Sequence, residues 1–293
     1  LIIRMSLAQF EPLICAASTY FGVFGLAHLA KMGIDRALKR HTRPHTFALE
    51  FITALQMCTC VYENGIIIGN YGLPGFFIAV TLLLIAAGFT NRGHFGNILS
   101  HVEGVIKGNV AIIDFFVVLV GQFLGSALAL KAATGLWYYT AGLSASHLRA
   151  TGANLCGFQL LFPLNMVMLL EAGACFVLRI LIGAYAAKTT FRRRYIIPLL
   201  VAAHLAAAIK YIGVAGLNPM TAYARLAMCP GMDDAHFFFT YWVGAAVGWL
   251  MGAHVQQSIE GWMQGRSKAR RAAAEEKQRE AKREAKKIEK KRK

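Results

Sequence analysis

Polar and apolar positions in this chain sort into long apolar runs parted by short polar connections. A helix needs about 20 apolar residues to cross about 30 Å of hydrocarbon. Runs of that order cover 7–30, 46–68, 74–92, 109–131, 160–186, 195–214 and 236–258, which predicts seven spans. Two further stretches, 97–107 and 218–227, are too short to cross. Each opens on a helix-capping residue, Asn97 or Asn218, and Pro219 takes the first helical position of the second. Short apolar segments at matching places in two halves of a chain predict re-entrant half-helices around a membrane pathway. No signal-peptide cleavage pattern opens the chain, so the first run is expected to stay in the membrane.

Composition narrows the class. The 293 residues are 56% hydrophobic and 16% charged, with mean hydropathy +0.47. Soluble domains are nearer 45–50% apolar and about 25% charged, so a water-soluble enzyme is excluded. Net charge is +16, and the tail from Arg266 to Lys293 holds 14 basic and 5 acidic residues of it. A basic tail behind apolar runs fits a polytopic membrane protein and not a nucleic-acid binder. Cys15, Cys58, Cys60 and Cys175 lie inside apolar runs and read as small buried hydrophobes. No dinucleotide, P-loop or HExxH motif is present, so neither an enzyme activity nor a cofactor nor a metal site is expected.

Basic clusters orient the chain. Lys31, Arg36, Lys39, Arg40 and Arg43 read as the first connection, and Lys188 with Arg192, Arg193 and Arg194 as the one before the sixth span. Connections on the opposite side read as Glu63, then Lys131 and Arg149, then Asp233 and Asp234. The positive-inside rule then places the tail, both basic loops and the entry to the Asn97 hairpin in the cytosol. The Asn218 hairpin enters from the other side.

The halves repeat. Glu50 lies 47 residues before Asn97, and Glu171 lies 47 before Asn218. Each acid is followed by its own span, a second span and an Asn-led short helix. A charged residue in a span is costly and is normally paired or turned to a polar interior. Two at equivalent places mark duplicated units of three spans, which must insert in opposite orientations.

Gly216-Leu217-Asn218-Pro219-Met220, with Ala203-His204-Leu205 before it and His236…Tyr241-Trp242-Val243-Gly244 after it, resembles the second signature region of the aquaporins. Gly121-Gln122-Phe123-Leu124-Gly125 looks like that family's third core helix. Phe47-Ala48-Leu49-Glu50-Phe51 and Leu55-Gln56-Met57-Cys58-Thr59-Cys60 are similar to the first core helix of its unorthodox, aquaporin-eleven-like branch. Cys229 falls where that branch carries a characteristic cysteine, and the extra span 7–30 agrees with it. Counting back from Gln122 puts the first motif at Asn97-Ile98-Leu99. Gly108-Asn109-Val110-Ala111 is a rival that breaks the spacing.

The resemblance implies an all-α membrane protein: an inverted repeat of three spans plus one half-helix each, behind an extra N-terminal span. Its parts would be 1–45, the extra span and a basic loop; 46–131 and 160–258, the two repeats; 132–159, a connection; and 259–293, the tail. It implies a pore midplane at Asn97, Ile98, Leu99, Asn218, Pro219 and Met220, with Ile98, Leu99 and Met220 as an apolar lining. Asn97 and Asn218 would cap the half-helices and offer amide N–H groups to a passing water. The constriction would draw on Phe77, Ala215, Thr221 and either His204 or Ala206. Thr221 stands where ordinary aquaporins carry an Arg, and Arg225 lies one turn on, where an interfacial side chain is the alternative reading. Glu50 and Glu171 are implied to hold the re-entrant backbone. The partners implied are water and small neutral solutes such as glycerol or hydrogen peroxide, the lipid bilayer, and three further copies in a tetramer.

Two other functions fit the same residues: a proton-coupled transporter using Glu50 or Glu171, and a non-conducting membrane scaffold. Lys290 and Lys291, fourth and third from the end, resemble a dilysine signal for retrieval to the endoplasmic reticulum. A polybasic patch on anionic lipid, in the plasma membrane or elsewhere, is the alternative.

Overall fold

In the computed structural model the described residues are 7–152, 161–186, 189–213, 215–227, 229 and 232–292, without the side chains of 7–9, 186 and 279–292. All regular structure among them is helical. The helices are α1 (Leu7–Ala37), α2 (Arg43–Thr90), α3 (Leu99–Ile106), α4 (Ile112–Thr140), α5 (Ala145–Gly152), α6 (Leu164–Ala186), α7 (Ile197–Ile212), α8 (Pro219–Leu226), α9 (Asp234–Phe238) and α10 (Ala245–Arg292). π-Helical turns at Arg192–Ile196 and Phe239–Gly244 lead into α7 and α10. Among the described residues, five helices are long and apolar enough to cross a membrane: Phe10–Ala37, Arg43–Thr90, Ile112–Thr140, Leu164–Tyr185 and Arg192–Ile212.

The second of these is two arms. At 1.5 Å per residue a straight α2 would be about 72 Å long, far beyond one bilayer. Gly72 breaks it with φ 63° and ψ −166°, a conformation open to glycine, and Pro74 follows. Lys31 Nζ donates to Gln56 Oε1 at 2.8 Å and to Asn91 Oδ1 at 2.7 Å. Those acceptors are 35 residues apart, about 50 Å along a straight helix. The arms therefore fold back on each other, matching the apolar runs 46–68 and 74–92.

Three expectations about connections change. Lys31 is not in a loop: it is fully buried on α1. Glu63 is not in a loop either, but fully buried near the end of the first arm of α2. Lys131 lies inside α4, which runs to Thr140, and α5 occupies part of the connection expected at 132–159. The first two shifts have one cause: a polar side chain with a buried partner looks, in sequence, like a polar surface.

Close glycine contacts reveal the repeat. A Cβ on Gly121 would stand 2.9 Å from Phe47 O, and one on Gly125 2.4 Å from Phe51 O. In the other half, a Cβ on Gly244 would stand 3.3 Å from Met168 O and one on Gly248 1.9 Å from Ala172 O. Met168 and Ala172 follow Phe47 and Phe51 at the same interval of 121 residues that separates Glu171 from Glu50. Glycines four apart on α4 and on the Phe239–Arg292 segment thus press backbone to backbone against equivalent turns of α2 and α6. Small residues do this where lipid supplies no hydrophobic drive between helices.

Gly125→Ala and Gly248→Ala should each cost about 1–3 kcal/mol of stability, since neither backbone neighbour is a flexible side-chain end. Gly135→Ala, with open space around it, should cost nothing measurable. Thermal unfolding of the detergent-purified variants checks this.

Candidate functional site

The two half-helices, α3 and α8, start from equivalent caps. Asn97 Oδ1 accepts from Leu99 N–H at 3.0 Å, and Asn218 Oδ1 accepts from Met220 N–H at 3.0 Å. Each side chain satisfies a donor that the first helical turn leaves unpaired. The starts are joined directly, because Asn218 Nδ2 donates to Gly96 O at 3.0 Å. Its other proton points to Met57 Sδ at 3.7 Å. Asn97 Nδ2 donates to no described residue. Of the two amides expected to face a passing solute, one is therefore taken by protein and one is open.

The side chains expected at the midplane lining are buried. Ile98 and Met220 lie in one apolar cluster with Cys58, Val118 and Ala129. Leu99 is buried in another with Val167, Cys175, Ala208 and Trp249. Pro219 is buried as well. These contacts wedge the half-helices into the bundle.

The acids hold the re-entrant loops in different ways. Glu171 accepts from Gly216 N–H at 3.1 Å and from Leu217 N–H, so it clamps the second loop by its backbone. Leu217 is thereby held at φ 52°, left-handed and uncommon for a side chain of that size. A Cβ on Gly216 would meet Tyr241 Cδ1 at 2.7 Å, so the loop passes where only glycine fits. Glu50 touches no loop backbone. It takes His94 Nδ1 at 2.7 Å and Gln122 Nε2 at 2.8 Å. Thr53 Oγ1 and Gln122 Oε1, both buried beside this loop, have no partner among the described residues.

The constriction candidates separate into groups. Phe77 and Ala206 pack into one cluster between the second arm of α2 and α7. His204 Nε2 donates to Ala174 O on α6 at 2.9 Å, the arrangement of a satisfied interior histidine. Ala215 packs against the cluster around Leu217. Thr221 Oγ1 donates back to Gly216 O at 3.1 Å and Asn218 O at 3.0 Å. Arg225 is exposed and has no ion pair among the described residues. Cys229 is disulfide-bonded. The backbone helix of α10 runs past Lys290 and Lys291, whose side chains lie outside the described set.

Compared with known proteins, the chain is 36% identical over 251 residues to a Caenorhabditis elegans protein named aquaporin-10, covering 86% of this chain and 89% of that one. The chain belongs to the aquaporin family. It is also 21% identical over 263 residues to an aquaporin-11 of the tardigrade Milnesium tardigradum, across 88% of this chain and 93% of that one. No family model matches it.

Two ionic networks in this aquaporin escape a motif-based reading. Arg179 on α6 grips Glu103 on α3 through Nε and Nη2, both at 2.7 Å, and Trp249 Nε1 adds a third donor at 2.8 Å. Arg179 also reaches Gln256, so the first half-helix is locked to α6 and α10. Glu63 accepts from Trp137 Nε1 at 2.6 Å and bonds His147 Nε2 at 3.1 Å, which fastens α5 onto the bundle. The signal was present: Glu63, Glu103 and Arg179 are charged residues inside apolar runs, and such residues demand partners.

Removing Arg179 from this network should be destabilising. Arg179→Ala leaves Glu103 with Lys107 as its ion-pair partner and Trp249 as a donor, at about 1.5–3 kcal/mol for the lost hydrogen bonds to a charged group. The double change Arg179→Met with Glu103→Gln should cost less than Arg179→Ala alone. Thermal unfolding of the three proteins measures the coupling.

Proposed function

We propose that this aquaporin is a passive channel for water and small neutral solutes, with its path along the junction of α3 and α8. One observation carries the reading: two half-helices start with matching Asn caps and meet through Asn218 Nδ2 and Gly96 O. Opposed half-helix starts bring two positive dipole ends to one place, which repels cations and orients a neutral dipole. The open amide of Asn97 and the unpaired oxygens of Thr53 and Gln122 offer a hydrogen-bonding solute both a donor and acceptors. Glycerol and hydrogen peroxide share that chemistry with water and belong to the same reading.

Ile98, Leu99 and Met220 pack into apolar clusters, which supports a path whose polar contacts come from backbone and amide groups of the loops. Phe77, Ala206 and Thr221 stay as constriction candidates, joined by exposed Arg225. The network logic favours the channel over a proton-coupled transporter, since Glu171 spends both oxygens on loop N–H groups. The disulfide at Cys229 supports an oxidising compartment on the α8 side and a cytosolic tail. Residence in the endoplasmic reticulum through Lys290 and Lys291 and assembly as a homotetramer complete the proposal. Peptide mapping without reductant should recover Cys229 in a disulfide-linked peptide that reduction releases.

Stopped-flow shrinkage of proteoliposomes tests the channel. Wild-type vesicles should shrink faster than empty ones, and the rate should change both in Asn97→Asp, which removes the open amide, and in Asn218→Asp, which sets a carboxylate against Gly96 O. Rates equal to empty vesicles, with folded and inserted protein, would refute water conduction.

A further inference from the structure

The two re-entrant loops are held by different means, and the difference points to α1. In the second repeat the loop is clamped from inside the repeat, by Glu171 on the backbone N–H groups of Gly216 and Leu217. In the first repeat Glu50 reaches side chains, His94 and Gln122, with His101 Nε2 of α3 at 4.0 Å. Each loop holds one left-handed residue that carries a side chain, Arg92 at φ 54° in the first and Leu217 at φ 52° in the second. A left-handed arginine persists only where its surroundings impose it.

Those surroundings belong to α1. Lys31, fully buried, donates to Asn91 Oδ1 at the head of the loop and braces against Gln56 Oε1 on the first arm of α2. Arg92 Nη1 donates to Lys31 O at 2.7 Å and pairs with Asp35 one turn further along α1. Asp35 in turn bonds His45 Nε2 at 2.9 Å, at the start of α2. The loop so fixed ends at Gly96, whose carbonyl receives Asn218 Nδ2 from the other half. A continuous chain of hydrogen bonds and covalent backbone thus runs from α1 to the junction of the half-helices.

We propose that Lys31 and Asp35 of the extra N-terminal helix are positioning residues for the first re-entrant loop, supplying from outside the repeat the clamp that Glu171 supplies within the second. Its consequence for flux rests on the channel reading; the clamp itself does not.

The full-length protein in lipid nanodiscs, followed by hydrogen exchange, tests the clamp. In Lys31→Met and Asp35→Asn, amides 92–97 should exchange at least about tenfold faster, the effect of losing one hydrogen bond to a charged group. Amides 220–226 should stay as in the wild type. Glu11→Gln is the control: Glu11 on the opposite end of α1 accepts from Ala145 N–H and touches no re-entrant loop. Unchanged exchange at 92–97 in both variants overturns the proposal. So does an equal rise in every helix, which would make α1 a general brace. In parallel, proteoliposome water flux should fall several-fold in the two variants and not in Glu11→Gln. If the wild type conducts nothing while amides 92–97 still loosen, the channel reading fails and the clamp stands.

Discussion

Hydrocarbon offers no hydrogen bonds, and two stretches of this chain break their helices inside it. Every donor and acceptor in those stretches must then be satisfied by protein or by what passes between. The structure answers in three ways. Asn97 and Asn218 turn their side-chain oxygens onto the first free N–H groups of α3 and α8. Glu171 takes the N–H groups that precede the second start. Glycines on α4 and beside α10 let neighbouring backbones close in, so that little room is left around the breaks. The bundle's packing follows from keeping these two interruptions dry and bonded.

The two halves meet the same constraint unequally. The second loop is nearly self-sufficient: Pro219 needs no donor at the first helical position, Thr221 bonds back to Gly216 and Asn218, and the acid is close enough to reach backbone. The first loop has Ile98 where the proline would stand and relies on charged side chains instead. Lys31, Arg92, Asp35, His94 and Glu50 form a band around it, and all but Glu50 and His94 involve the helix outside the repeat. A loop braced from outside can lose the proline of its motif and still hold its start. That is a physical reason why the first motif is degenerate and the second is not.

Six of the seven expected spans were legible because length and hydropathy decide them, and even the fold-back at Gly72 coincides with a gap between apolar runs; the run 236–258 is not among the helices long and apolar enough to cross. The Asn caps were legible from a repeated interval of 47 residues. What sequence could not show was direction. Ile98, Leu99 and Met220 follow the Asn residues, but whether they face a lumen or a neighbouring helix depends on α4, α6 and α10, dozens of residues away. Lys31 and Glu63 read as loop charges because their partners, Gln56 with Asn91 and Trp137 with His147, are neutral or weakly charged and far along the chain. Glu171 reaches its partners at the motif itself, the N–H groups of Gly216 and Leu217, whereas a histidine side chain stands between Glu50 and the first loop.

Unequal bracing also makes the midplane unequal. In the symmetric arrangement that the spacing suggests, two amides would hold one solute from two sides. Here Asn218 Nδ2 spends its donors on Gly96 O and Met57 Sδ, and only Asn97 keeps a free one. A water at that point would take one amide hydrogen bond, leaving its remaining orientation to the two helix-start dipoles. Those dipoles act on any neutral polar molecule alike, whereas a pair of fixed amides selects for one oxygen at one spacing. On the channel reading, the same bond that unites the two halves loosens the geometric demand on a solute, so that mechanical linkage and solute discrimination would compete for one side chain, Asn218.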